Sequence, residues 1–160
     1  MFCAWRWRGT FGPLLAYSGK GIIMSEHPIQ KPIPRPNGDT QPFWDACNEE
    51  RLIFQRCTVC GYAQFYPRSA CVKCESVDLE WKEADAVGVV HTFTIVNRAP
   101  SSAFRGDVPY VLALIDLADG FRMMMNIVDC DPTDVSIGKP VRIVYEQRAG
   151  QKVPQAALVR

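Results

Sequence analysis

The chain has 160 residues, 48% hydrophobic and 22% charged, with a formal net charge of +1. That bounds it to one ordinary domain, or a small module beside a compact core. The balanced charge excludes a global field that would gather nucleic acid or anionic lipid, and no uninterrupted apolar run reaches the roughly 18 residues of a membrane-spanning helix.

Residues 1–23 hold three basic residues and no acid, in an aromatic setting (Trp5-Arg6-Trp7-Arg8). Gly12, Pro13 and the lack of a good cleavage site argue against a secretory signal. A transit peptide fits slightly better, and the preferred reading takes Met24 as the natural start. Pro28, Pro32, Pro34, Pro36, Asn37 and Gly38 then make an extended, polyproline-like arm. Residues 1–38 are therefore expected to be an extension and a disordered arm, unless the arm lies along a partner.

Asp39-Thr40-Gln41-Pro42 reads as a helix start, with a capping side chain and proline in the first turn. Phe43, Trp44, Cys47 and Arg51 follow at spacings of three and four, which predicts a short amphipathic helix from about Gln41 to Glu50. Its aromatics either pack on the domain or face a partner. The partner-facing reading of Phe43 and Trp44 is carried forward.

Leu52–Arg56 predicts a strand entering Cys57-Thr58-Val59-Cys60, Ala63–Pro67 a strand leaving it, and Leu79–Glu83 a third that alternates apolar and polar. Cys71-Val72-Lys73-Cys74 follows the first pair after ten residues. Two Cys-x-x-Cys turns facing each other supply four thiolates to one tetrahedral ion, and zinc suits that set best. Cys57, Cys60, Cys71 and Cys74 are the expected ligands, with Gly61 easing the turn behind Cys60. Residues 39–85 thus read as a helix plus a rubredoxin-like zinc ribbon, folded largely by its metal. Cys3, Cys47 and Cys130 are left over. Free thiols beside a thiolate site suit a reducing compartment, so a cytoplasmic location is expected.

From Val87 the texture becomes β-rich. Gly88–Asn97, Tyr110–Leu117, Phe121–Val128 and Val141–Tyr145 read as strands, with Ala118-Asp119-Gly120 as a hairpin turn and Asp131–Asp134 as a single turn. Short strands without helical crossovers predict an antiparallel OB-like barrel over 86–148. Residues 149–160, with Gly150 and Pro154, are expected to be a loose tail. The whole chain is expected to be mainly β. Met124 should face away from Met123 and Met125.

No catalytic constellation stands out. There are two histidines, and His91 lies mid-strand, where a satisfied or surface role is commoner. Asp129, Asp131 and Asp134 read as turn formers. The segment from Arg98 to Pro109 is long for a barrel hairpin, and long ordered loops tend to be functional. It brings two arginines, a phenylalanine and small residues that could meet a phosphate and an acyl chain, or a protein partner.

Several motifs together carry a resemblance: Pro42-Phe43-Trp44; Gln55-Arg56-Cys57-x-x-Cys60-Gly61; Tyr66-Pro67-Arg68; Cys71-x-x-Cys74; Gly88-x-Val90-x-x-Phe93-Thr94; Arg98-Ala99-Pro100; Val108-Pro109-Tyr110; Cys130-Asp131-Pro132; and Ile137-Gly138-Lys139-Pro140-Val141. Over about residues 40–147 the chain resembles a family of small zinc-ribbon and OB-fold proteins, long known as a domain of unknown function. Its members associate with thiolases, acyltransferases and thiolase-like aldolases. Glu75 stands where that family frequently has glycine.

The resemblance implies a non-catalytic accessory subunit in a hetero-oligomer. The thiolase-superfamily partner carries the catalytic residues, and the small subunit helps bind or channel acyl-CoA. Phe93, Arg98, Pro100, Phe104, Arg105 and Tyr110 are the candidate contacts to acyl-CoA or partner. A single-stranded nucleic-acid module is the alternative, because OB-folds stack bases on aromatics. The near −2 net charge without residues 1–23 weighs against it. A rubredoxin-like electron carrier is the second alternative, in which iron would replace zinc; the ten-residue separation is short for that.

Overall fold

The computed structural model describes residues 30–159. The readings of residues 1–29, including the start at Met24, fall outside the described residues. From Gln30 the arm runs without regular secondary structure to a turn at Gly38–Thr40. It is not loose there: Lys31 Nζ reaches Asp107 Oδ2 at 2.9 Å and Glu146 Oε1 at 3.1 Å. The tether depends on carboxylates far along the chain.

Helix α1 spans Gln41–Asn48. Asn37 starts it: its Oδ1 accepts from Thr40 N at 3.0 Å and from Thr40 Oγ1 at 2.8 Å. Pro42 occupies the first turn, where its missing N–H leaves no helical bond unmade. Phe43 and Trp44 are 1% and 8% exposed. This corrects the partner-facing expectation. The amphipathic spacing was sound, but the apolar face turns inward, with the Phe43 ring edge-on to Phe65 at 5.2 Å.

Three strands form the ribbon sheet, β1 (Ile53–Cys57), β2 (Ala63–Gln64) and β3 (Leu79–Glu83), in the order β2-β1-β3 and antiparallel. Two buried glutamines serve the chain between the knuckles. Gln55 Oε1 accepts from Arg68 N and from Gln64 Nε2, both at 2.9 Å, and Gln64 Oε1 accepts from Val72 N at 3.0 Å. Loop amides that no strand pairs are thereby satisfied.

The second sheet closes on itself. Strands β4 (Val87–Val96), β5 (Tyr110–Leu117), β6 (Arg122–Val128), β7 (Pro140–Arg148) and β8 (Gln151–Leu158) follow the barrel order β4-β5-β6-β8-β7. Along β5 and β6 the alternation sends Val111, Ala113, Ile115, Met123, Met125 and Ile127 inside, while Met124 is 67% exposed as its position predicts. Gly88 of β4 pairs with Leu117 of β5, and a Cβ there would sit 2.5 Å from the Asp116 carbonyl oxygen.

Residues 149–160, expected as a loose tail, instead supply β8. Ala149 and Gly150, at φ 40° and 94°, make a two-residue turn between Arg148 and its partner Gln151, the left-handed geometry that tight hairpins favour. Pro154 is tolerated because β8 meets β6 only at Ala156 and Ala157. At Pro154 only one side of the strand needs donors. Asn48 Oδ1 accepts from Lys152 N at 2.9 Å, and Trp44 O from Gln151 Nε2 at 3.1 Å, so β8 is also the floor beneath α1.

Ribbon and barrel meet across stacked aromatics. Phe54 of β1 lies on Phe121 at 4.7 Å, nearly parallel at 24°. Arg56 covers the Phe54 ring at 5.3 Å and donates to the Asp119 carbonyl at 3.3 Å. Among the described residues no helix is long and apolar enough to cross a membrane.

Candidate metal centre and barrel loop

The two knuckles are near copies. In the first, Gly61 N donates to Cys57 O at 2.9 Å and Cys57 N to Tyr62 O at 2.9 Å; in the second, Glu75 N donates to Cys71 O at 3.0 Å and Cys71 N to Ser76 O at 2.8 Å. Both turns need left-handed backbone after the second cysteine. Gly61 has φ 71° and Glu75 φ 62°. A side chain in that region strains the backbone, which explains why glycine is favoured at this place.

All four sulfurs lie within 4.8 Å of one another. Cys57 and Cys74 Sγ are 3.6 Å apart, Cys60 and Cys71 Sγ 3.7 Å. Zinc–sulfur bonds of about 2.3 Å place tetrahedral sulfurs about 3.8 Å apart. The spacing fits the ion, and no sulfur is at bonding distance to another. Lys73 N donates to Cys71 Sγ at 3.4 Å, and that bond draws the Cys71 thiol down to about 7. The Ser76 amide favours the Cys74 thiolate too, but hydrogen bonds shared with Cys60, burial and Cys57 together push it up to about 12. Four adjacent thiols cannot all ionise alone; a dication displaces the protons that remain. The site holds structural zinc. Four thiolates fill a tetrahedral ion and leave no position for water or substrate.

The loop residues are only partly gathered. Phe104 closes a single 3-10 turn, Ser102–Phe104, and its ring lies 6.4 Å from that of Tyr110. Both border a cleft of about 260 Å³ that Lys31, Asp107 and Glu146 rim. Arg98, Pro100 and Arg105 are exposed on the loop, and Phe93 is half-buried on the inward side of β4, opposite Ala113. Sequence reasoning missed Lys31, Asp107 and Glu146. Burial raises the Glu146 carboxyl, but Arg148 at 2.6 Å and Lys31 outweigh it and hold the carboxyl below its usual range.

His91 is the extra residue of a bulge, since Val90 pairs with Ile115 and Thr92 with Leu114. The bulge turns it outward to Asp116, 3.0 Å away. Arg122 donates to Asp116 Oδ1 at 2.6 Å, the contact that most lowers the Asp116 carboxyl, and its Nη2 lies 3.0 Å from His91 Nδ1. Asp116 and Arg122 form an exposed ion pair beside His91. Cys47 is fully buried, and burial pushes its thiol up to about 12, so it stays neutral.

Residues 44–80 match the family model of the ChsH2 rubredoxin-like zinc ribbon domain, and residues 81–146 that of the ChsH2 C-terminal OB-fold domain. The chain is 33% identical over 138 residues to a probable enoyl-CoA hydratase alpha subunit of Thermomonospora curvata, covering 85% of this chain and 41% of that protein. It is 39% identical over 97 residues to a DUF35 domain-containing scaffold protein of Methanocaldococcus jannaschii, covering 60% and 68%. A chain of the Ltp2-ChsH2(DUF35) aldolase superposes with a TM-score of 0.71 at 30% identity, over 79% of this chain and 98% of that one. The chain thus spans less than half of the hydratase subunit it matches.

Proposed function

This chain belongs to the ChsH2, or DUF35, family of zinc-ribbon and OB-fold proteins, and we propose that it is a non-catalytic accessory subunit of a CoA-ester enzyme. Its partner is an enzyme subunit of the thiolase superfamily or of the enoyl-CoA hydratase kind. The barrel side, with the Arg98–Tyr110 loop, helps hold or pass on the acyl-CoA.

One observation carries this reading. The architecture here accounts for 98% of a chain in an aldolase complex, ribbon and barrel together, so that chain consists almost wholly of what this one shares with it. The metal site adds support, because a saturated tetrahedron serves as framework and not as a reaction centre.

Affinity purification of the tagged chain from its native host, followed by mass spectrometry, tests the proposal. A thiolase-type or hydratase subunit should co-purify in fixed stoichiometry, and Cys57→Ser should abolish the pairing. A chain that runs alone in native extract and shows no affinity for immobilised CoA esters would contradict it. Salt-dependent binding to single-stranded oligonucleotides would favour the nucleic-acid reading instead.

A further inference from the structure

Strand edges in this protein are guarded unequally. In the ribbon, one edge strand, β2, has two residues, and the other, β3, carries Glu80, Lys82 and Glu83. Shortness and charge are common means of keeping an edge from pairing with a stranger. The barrel has an edge with neither. Strand β7 pairs with β4 only at Val87–Val89, and Gly138 and Lys139 hold Val90 on that same side. Beyond that point Thr92-Phe93-Thr94-Ile95-Val96 is paired with β5 alone, and among the described residues no other backbone group bonds to it.

This run has no charge, no proline and no glycine. Thr92, Thr94 and Ile95 are exposed. In an antiparallel strand the residues that do not bond one neighbour direct their N–H and C=O groups to the other side. The edge therefore presents an unused, uncharged ladder; the one side-chain bond to it is from Asn97 Nδ2 to Ile95 O at 3.3 Å. The loop that follows the edge carries Arg98 and Arg105. Both are exposed, and among the described residues neither is paired with a carboxylate. The Lys31 tether on Asp107 holds the same loop against the barrel wall.

We propose that the Thr92–Val96 edge of β4 receives an extended segment of the enzyme subunit as an added strand, with acidic residues of that segment meeting Arg98 and Arg105. Backbone bonds would supply the affinity and the arginines the direction and register, as in other strand-addition complexes. The open edge is a property of the backbone here. Assigning its occupant to the enzyme subunit rests on the accessory-subunit proposal.

The first probe is a synthetic peptide of alternating threonine and valine ending in two glutamates, with a twin ending in two lysines. Hydrogen exchange on the full chain should show the glutamate peptide slowing, about ten-fold or more, those Thr92–Val96 amides that do not bond β5, and the lysine twin having little effect. Thr94→Lys, at an exposed position, should abolish the protection without moving the thermal midpoint, and Thr94→Val should keep it. Arg98→Glu with Arg105→Glu should reverse the preference between the twins. Absence of protection, or equal protection in Thr94→Lys, overturns the proposal. So does protection, in the unbound chain, of those amides in the run that do not bond β5, whether independently of concentration (the edge covered by residues 1–29) or increasingly with it (a second copy). The second probe is the co-purified enzyme subunit. If it assembles equally with wild type and Thr94→Lys, the edge is not the contact and the accessory role stands. If the peptide binds but no enzyme subunit co-purifies, the accessory role fails and the proposed occupant fails with it.

Discussion

The ribbon and the barrel bury similar kinds of side chain, yet they hold together differently. The ribbon sheet is three short strands, one of two residues, around four sulfurs and a pair of buried glutamines. The barrel encloses Val90, Val111, Ile115 and Val141, each at most 1% exposed, and has no metal cluster among its described residues. The ribbon's fold therefore depends on an ion and the barrel's on apolar burial. The stack of Phe54 on Phe121 joins the two. The proposed accessory role would draw on this division. The metal fixes a rigid knuckle pair at little cost in chain length, and the barrel carries the loop and the open edge.

The largest effect should come from the metal. Cys57→Ser, or a strong chelator, removes on the order of 10 kcal/mol of binding energy from the ribbon. Hydrogen exchange should then show residues 53–75 opening while the amides of β5 and β6 stay protected. A single cooperative melt of both regions would break the comparison. Next in size, Phe121→Ala should cost about 3–5 kcal/mol and loosen both regions, because its ring lies on Phe54 and near Phe65. Denaturant unfolding reads the loss.

Gly88→Ala should destabilise the barrel by about 1–3 kcal/mol, because the new Cβ meets the Asp116 carbonyl. Zinc affinity should not change, and a competition assay with a chromophoric chelator checks it. In the opposite sense, Glu75→Gly should stabilise the ribbon by about 1 kcal/mol by relieving its left-handed backbone. The smallest effect is acid sensitivity at the arm. Glu146 is held below its unfolded value of 4.5, so its contribution is full above that pH and is lost as the pH falls through the folded value. Thermal midpoints from pH 6 to 3 should fall less steeply in Glu146→Gln than in wild type.

How far the sequence foretold this structure differs between the two regions as well. The ribbon was legible because four cysteines at fixed spacing can satisfy one ion in one way, and even Glu75 stood out as the position where a glycine belongs. The barrel strands from Val87 to Tyr145 were legible through β-branched runs and the Asp119-Gly120 turn. Strand β8 was not, because Gln151–Leu158 contains a proline and two alanines and lacks alternation. It becomes a strand only because β7 and α1 are there to pair and pack with it. The same dependence misled the reading of α1. Spacing shows that a helix has an apolar face, not which surface covers it, and the cover for Phe43 and Trp44 lies partly in the tail. The Lys31 tether joins residues 115 positions apart, and no local pattern encodes such a pair. The open edge at Thr92–Val96 was invisible for a related reason: which side of a strand lacks a neighbour is decided by where β7 stops pairing.

The central claim is that this chain works as a metal-built subunit of a larger CoA-ester enzyme, and native mass spectrometry of the complex purified from the host tests it most directly. The account predicts a particle containing a thiolase-type or hydratase subunit and this chain with one zinc ion per copy, and its disappearance in Cys57→Ser. A zinc-loaded chain found only by itself, or a complex that forms equally well without the metal, would contradict it.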